Sequence, residues 1–170
     1  LSQSDDIAVF LIGPIINQLE SENIQVFYRS IEKSIIPDEV ILNNLSAIEE
    51  VIFIGYPSAI IDNKNNTPIV RKGITATPIW NDFDGYNIFL IDAGVFPGSS
   101  GSPVFILNSG AYTTNQGIVI GNRIYFLGII SNTIQRNEAG SQVYLGLGQV
   151  IKGKIVKEFI ESVTSRLGLK

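Results

Sequence analysis

The stretch IDAGVFPGSSGSPVF, residues 91–105, places a loop rich in glycine and serine between two apolar runs. Within this loop, Ser100 stands between Gly98 and Gly101. A serine hydroxyl is a weak nucleophile, so an enzyme that uses one needs a base within hydrogen-bond reach and backbone N–H groups directed at the developing oxyanion. Glycines beside the serine permit that backbone geometry, because glycine reaches positive φ at little cost. The stretch predicts a nucleophile loop, yet the chain contains no histidine to serve as its base.

The composition predicts a chain that buries a core without disulfides. Of the 170 residues, 45% are hydrophobic and none is cysteine, which argues against disorder and excludes both disulfides and a cysteine nucleophile. Since histidine is also absent, only carboxylates remain as ligands, and we expect no metal site and no cofactor. The net charge is −4 with scattered lysines and arginines, so we expect no nucleic-acid partner. No apolar run reaches the ~18 residues that a membrane span needs.

Six runs rich in valine, isoleucine, phenylalanine or tyrosine predict strands, each bounded by glycine, proline, asparagine or aspartate. They cover roughly 50–55, 67–76, 87–92, 102–107, 117–131 and 142–148, and the fifth is predicted to be a hairpin that turns at Gly121-Asn122. Many short strands with regular turn signals indicate an all-β barrel or sandwich. Upstream, we expect an apolar strand over 7–12, stopped by Gly13-Pro14, and a strand or an extended linker over 24–31.

The last part of the chain changes from strand to helix periodicity. Apolar residues recur at helical spacing, while lysines and glutamates occupy the other face. The apolar positions are Ile151, Ile155, Val156, Phe159, Ile160, Val163 and Leu167. We therefore expect an amphipathic helix over about 150–166 that packs on the sheet. Its polar face carries both signs of charge, which argues against membrane binding.

Three motifs, in order along the chain, resemble trypsin-like serine peptidases. The segment Asp6-Ile7-Ala8 resembles the strand that carries the catalytic aspartate, the stretch around Ser100 resembles the nucleophile loop, and residues 126–131 (FLGIIS) resemble the strand that flanks the substrate cleft. The runs at residues 55–57 and 68–73 are most similar to bacterial members. The resemblance implies the second six-stranded antiparallel barrel of a double-barrel fold over 46–149, an end of the first barrel and a linker over 1–45, and a C-terminal helix over 150–170.

The resemblance also implies roles for particular residues. Ser100 would be the nucleophile, Asp6 would orient a histidine, and the amides of Gly98 and Ser100 would hold the oxyanion. Alternatives remain for each position. Ser100 could be an ordinary turn serine, and Gly98 an ordinary turn glycine. Asp6 could be a carboxylate or cap at the entry of a strand, and Asp5 could orient the histidine if the register is shifted by one residue.

Four further residues are implied to bind substrate. Gly94, six residues before the nucleophile, would lie on the floor of the primary specificity pocket, where enzymes that cleave after lysine or arginine have aspartate. Ser131, Asn132 and Thr133 would pair with the substrate backbone. Since Thr133 stands where many relatives have glycine, we expect a narrowed pocket and a small or apolar side chain on the substrate.

The absent histidine leaves the function open between two classes. In the family the histidine precedes the aspartate, and this chain begins five residues before Asp6. We therefore expect the 170 residues to be the C-terminal part of a longer serine endopeptidase whose missing N-terminal part carries the histidine, and to be inactive alone. The partner would be a protein or peptide substrate. The alternative is an inactive pseudopeptidase that binds protein or peptide. A third possibility is a serine–lysine dyad with Lys72 or Lys64.

Overall fold

A six-stranded antiparallel sheet dominates the computed structural model of the protein, which describes residues 6–138 and 140–169. The strands are β1 (Glu50–Gly55), β2 (Ile69–Thr75), β3 (Ile88–Asp92), β4 (Pro103–Thr114), β5 (Gly117–Glu138) and β6 (Ser141–Lys152). Their order is β1-β2-β3-β6-β5-β4, and β4 pairs again with β1, so the sheet closes into a ring. The mostly β architecture with six antiparallel strands is confirmed.

Helices occupy the two ends of the chain. They are α1 (Gly13–Ser21), α2 (Glu39–Asn43) and α3 (Gly153–Arg166), with single 3-10 turns at Lys33–Ile35 and Pro57–Ala59. The helix α3 confirms the predicted C-terminal helix. A Cβ at Gly153 would lie 2.9 Å from the carbonyl oxygen of Phe126, so glycine lets the first turn of α3 approach β5 closely. Of the helices in the described part of the chain, none combines the length and apolar character needed to cross a membrane.

Alternating residues of the strands fill the interior of the ring. Side chains two apart on a strand point to the same face, and the inward pairs include Val51 and Phe53, Phe89 and Ile91, and Val104 and Ile106. All of these side chains are buried. Full burial of one such side chain contributes roughly 1.5–3 kcal/mol. The packed interior therefore stabilises the strands to which the loops are attached.

A second apolar cluster lies between α3 and the strands β5 and β6. Ile7, Phe126, Ile151 and Val156 are buried there. On the outer side of the helix, Lys33 Nζ donates to Glu161 at 2.9 Å. That hydrogen bond holds the pKa of Glu161 below its ordinary value. The helix is thus fixed by an apolar inner face and an ion pair at the surface, as its predicted amphipathic pattern requires.

A buried ion pair connects the entry of β1 to two other strands. The guanidinium of Arg123, on β5, donates to the carboxylate of Glu49, and both side chains are about 5% exposed. Arg123 Nε also donates to Asn108 Oδ1 on β4 at 2.6 Å, and the guanidinium lies 4.4 Å from the ring centroid of Tyr112. The second carboxylate oxygen of Glu49 accepts from the amide of Ser46 at 2.8 Å. Both charges are therefore hydrogen-bonded, as buried charges must be.

The predicted hairpin turn at Gly121-Asn122 is wrong. These residues lie inside β5, where Gly121 pairs with Gly110 and Asn122 pairs with Ser109 on β4. The chain instead turns at residues 115–116, where two residues join β4 to β5. Because that short loop already reverses the chain, residues 117–138 run on as one strand.

The predicted strand over 7–12 is also absent. Residues 6–12 have no regular secondary structure, and α1 begins at Gly13 with Pro14 in its first turn. Proline suits the first turn of a helix, since its missing N–H has no partner there in any case. Residues 24–32 lie outside helices and strands as well, which favours the linker alternative.

Candidate active site

The loop between β3 and β4, residues 93–102, is fixed by its own backbone. The amide of Ser99 donates to Phe96, that of Ser102 donates to Ser99, and that of Gly101 donates to Ile130 on β5 at 2.7 Å. Gly98 has φ +86°, and a Cβ there would lie 3.0 Å from backbone atoms of residues 56 and 58. Glycine is therefore required at residue 98 by both conformation and space.

Four amides of this loop, those of Val95, Phe96, Gly98 and Ser100, donate to no acceptor in residues 6–138 and 140–169. Two of the four belong to Gly98 and Ser100. Both of these residues are exposed. Unpaired N–H groups are expensive when buried but are available to a ligand when exposed. The amides of Gly98 and Ser100, the two residues predicted to hold the oxyanion, are therefore among those available to a ligand.

The hydroxyl of Ser100 is exposed and donates to the carbonyl oxygen of Ser131 at 3.1 Å. Among the described residues, Ser100 Oγ makes no other hydrogen bond. The nucleophile loop and β5 therefore meet directly at the predicted nucleophile.

One segment of β5 has a strand on one side only and is called here an open strand edge; it consists of Ser131, Asn132 and Thr133. On one side, Asn132 and Thr133 pair with β6, while the pairing of β5 with β4 on the other side ends at Ile129. The hydroxyl of Thr133 donates to the carbonyls of Val95, at 2.9 Å, and Leu147. Thr133 thus ties the nucleophile loop to β5 and β6, and a strand edge beside Ser100 stays available for an added strand.

Gly94 lies next to a cation for which the resemblance gives no expectation. Arg71 Nη1, on β2, donates to the carbonyl oxygen of Gly94 at 2.7 Å. The two residues are 23 positions apart, one on β2 and the other in the loop after β3, so local motifs do not connect them. The one available signal is periodicity: Arg71 is in phase with the inward-facing positions of β2, among them Gly73 and Thr75.

Asp6 is exposed and precedes Ile7, which is buried in the cluster beneath α3. Within the described residues, Asp6 and Ser100 share no hydrogen bond. The structure therefore brings Gly94, Gly98, Ser100 and the edge at 131–133 together through the loop, and it shows no contact that joins Asp6 to them.

The lysines considered for a dyad lie elsewhere. Lys72 Nζ is 2.7 Å from the carboxylate of Glu50, and both side chains are more than half exposed. Lys64 is exposed in the turn capped by Asp62. A cleft of about 600 Å³ near the start of α3 is lined by Trp80, Lys152 and other residues that are not part of the nucleophile loop. Neither the lysines nor this cleft brings a base to Ser100.

Ser99 is 1% exposed, and its Oγ has no hydrogen-bond partner among the described residues. A buried unpaired hydroxyl costs about 1–3 kcal/mol. We expect Ser99→Ala to raise the free energy of unfolding by up to about 1 kcal/mol, since a small cavity offsets part of the gain. Urea denaturation of both proteins measures this difference, and a loss of more than about 1 kcal/mol would show that the hydroxyl has a partner.

The sequence was also compared with known proteins. Neither a scan against protein-family models nor a search of curated proteins found a match to this chain.

Proposed function

We propose that the chain is part of a trypsin-like serine endopeptidase in which Ser100 attacks the scissile peptide bond. The observation that carries the proposal is the pair of unused amides at Gly98 and Ser100 beside an exposed serine hydroxyl. In this proposal the ring is the second barrel of the family, and the residues up to about 45 are the end of the first. The open edge at 131–133 would receive the substrate as an added strand.

The chemistry needs one group that the 170 residues lack. Ser100 Oγ would form a bond to the substrate carbonyl carbon while a histidine from outside these residues takes its proton. The carbonyl oxygen becomes an oxyanion, held by the amides of Gly98 and Ser100. Each such donor is worth roughly 2.7–4 kcal/mol in the transition state. The histidine then protonates the leaving amine, and water hydrolyses the acyl ester by the same steps in reverse. Asp6 would orient the imidazole.

A fluorophosphonate probe tests this proposal. We expect the protein encoded by the complete gene to be labelled at Ser100 and residues 1–170 alone to be labelled at least about 1000-fold more slowly, because a triad without its base loses most of its reactivity. The measurement is the second-order rate constant of labelling, with the modified peptide located by mass spectrometry. Equally rapid labelling of residues 1–170 would contradict the role of an external base.

The hydrogen bond between Ser100 Oγ and Ser131 favours a second candidate function. It occupies the hydroxyl with a backbone acceptor rather than a base. A pseudopeptidase would bind peptides along the same strand edge, residues 131–133, without carrying out the reaction. If the protein from the complete gene binds peptides but its Ser100 resists the probe, the binding function replaces the enzymatic one.

A further inference from the structure

Arg71 places a guanidinium against the predicted floor of the specificity pocket. The residue is half-buried. The guanidinium carbon lies 5.5 Å from the ring centroid of Phe53 and 5.2 Å from that of Phe96. Together with the 2.7 Å hydrogen bond to the carbonyl of Gly94, these contacts hold the group in one orientation. It is therefore a fixed part of the site rather than a mobile surface charge.

The charge of Arg71 has no counter-ion in the part of the chain that the structure describes. Among the described residues no carboxylate lies within 4.0 Å of it, whereas the buried Arg123 is paired with Glu49. A guanidinium carries five N–H donors, and the structure assigns one of them to an acceptor. Withdrawing an unpaired charge from water is costly. Local features that cost stability in this way are most often found at functional sites.

Glycine at position 94 leaves one side of the guanidinium without a covering side chain. A Cβ at Gly94 would lie 3.1 Å from Arg71 Nη2, so the absent side chain leaves that nitrogen uncovered on this side. Gly94 is held against Gly146 of β6 by a backbone hydrogen bond of 2.8 Å. Phe96 and Tyr144 meet edge to face at 6.4 Å, and both remain partly exposed. Gly94 and Phe96 of the loop that carries Ser100 thus contact the cation, and Gly146 and Tyr144 of β6 hold these two residues in place.

We propose that Arg71 selects substrates with an acidic side chain, glutamate or aspartate, immediately before the scissile bond. This inference rests on the proposed function. A guanidinium matches a carboxylate with two parallel hydrogen bonds, and the carboxylate would supply the missing counter-ion. A lysine side chain would meet a like charge, and an apolar one would leave the cation unpaired and desolvated. This proposal replaces the expectation of a small or apolar side chain, which rests on Gly94 and Thr133 alone.

Peptide diphenyl phosphonates test the inference through the rate at which they modify Ser100. The protein from the complete gene is treated with probes that differ only in glutamate, glutamine, leucine or lysine at the selective position. We expect the glutamate probe to react about 100-fold faster than the isosteric glutamine probe. Arg71→Gln should abolish this preference. Arg71→Lys should retain a preference of about 10-fold, because lysine keeps the charge but cannot form the two parallel hydrogen bonds of a guanidinium.

The neighbouring Lys72 supplies a matched control. Lys72→Gln removes a positive charge from the same strand, but on its exposed face, and should leave the preference unchanged. Thermal unfolding followed by circular dichroism checks that each variant is folded. If Ser100 reacts with all probes and Arg71→Gln does not alter their ranking, the inference is overturned while the proposed function stands.

A binding measurement separates the two claims. Calorimetric titration compares acetylated peptides that end in glutamate or glutamine, using the wild-type protein and Arg71→Gln. If no phosphonate labels Ser100, the proposed function fails. In that case a preference of about 100-fold for the glutamate peptide, lost in Arg71→Gln, still supports acidic recognition, and equal affinities overturn it.

Discussion

Ser100→Ala is expected to lower kcat for peptide hydrolysis by about 10⁶-fold in the protein from the complete gene, the order of magnitude seen when a serine nucleophile is removed. The physical reason is that no other exposed hydroxyl of the loop lies beside the unused amides of Gly98 and Ser100. Since the hydroxyl makes one surface hydrogen bond, the variant should unfold at nearly the same denaturant concentration as the wild type. Steady-state kinetics with a peptide substrate measures the effect.

The adjacent serine is the control for this variant. Ser99→Ala changes the same kind of group one position earlier, but that hydroxyl is buried and faces away from solvent. It should leave kcat within about threefold of the wild-type value while raising stability slightly. Retention of more than a tenth of the activity in Ser100→Ala would assign the nucleophile to another residue.

Glu49→Gln is expected to lower the free energy of unfolding by about 3–5 kcal/mol, because it leaves the guanidinium of Arg123 charged, buried and without its counter-ion. The amide of glutamine keeps the shape of the side chain, so the loss reports the charge and one lost hydrogen-bond acceptor rather than a cavity. Urea denaturation gives the difference between the two proteins.

Glu50 provides the comparison at the next position. Its pair with Lys72 is exposed, and Glu50→Gln should cost at most about 1 kcal/mol. The double variant Glu49→Gln and Arg123→Met removes both charges and should recover part of the lost stability. Equal losses in Glu49→Gln and Glu50→Gln would contradict the account of the buried pair.

The six strands and the last helix could be predicted from the sequence because their signals are local. Alternating β-branched and aromatic residues end at glycine, proline or asparagine in each strand, and the apolar period of residues 151–167 changes to that of a helix. The turn at 115–116 could not be predicted, since Gly121-Asn122 carries equally good turn chemistry. The turn is decided by pairing across the whole length of β4, whose residues 103–114 pair with residues 117–129 of β5.

Part of the candidate site could also be predicted from local sequence, and part of it could not. The nucleophile loop is predicted from local sequence, because Gly98, Ser100 and Gly101 lie within one short segment. The edge at 131–133 could be placed beside it only through the resemblance, and the hydrogen bond from Ser100 to Ser131 is visible only in the folded chain. Arg71 is a non-local feature: its phase on β2 shows that it faces inward, but the sequence does not reveal which loop it meets.

Closure of the sheet has a consequence for how the chain folds. Neighbouring strands such as β4 and β5 pair through a two-residue loop, whereas β1 pairs with β4 at Ile52 and Phe105, and β3 pairs with β6 at Ile88 and Ile151. To form these distant pairings, the chain must close long loops and lose conformational entropy before the new contacts offset that loss. This cost slows the folding of β proteins to the range of milliseconds to seconds. The hairpin of β4 and β5 can form early, but the loop that carries Ser100 joins β4 to β3, whose partners are β2 and β6. We therefore expect the candidate site to be completed late in folding, when β3 joins the sheet.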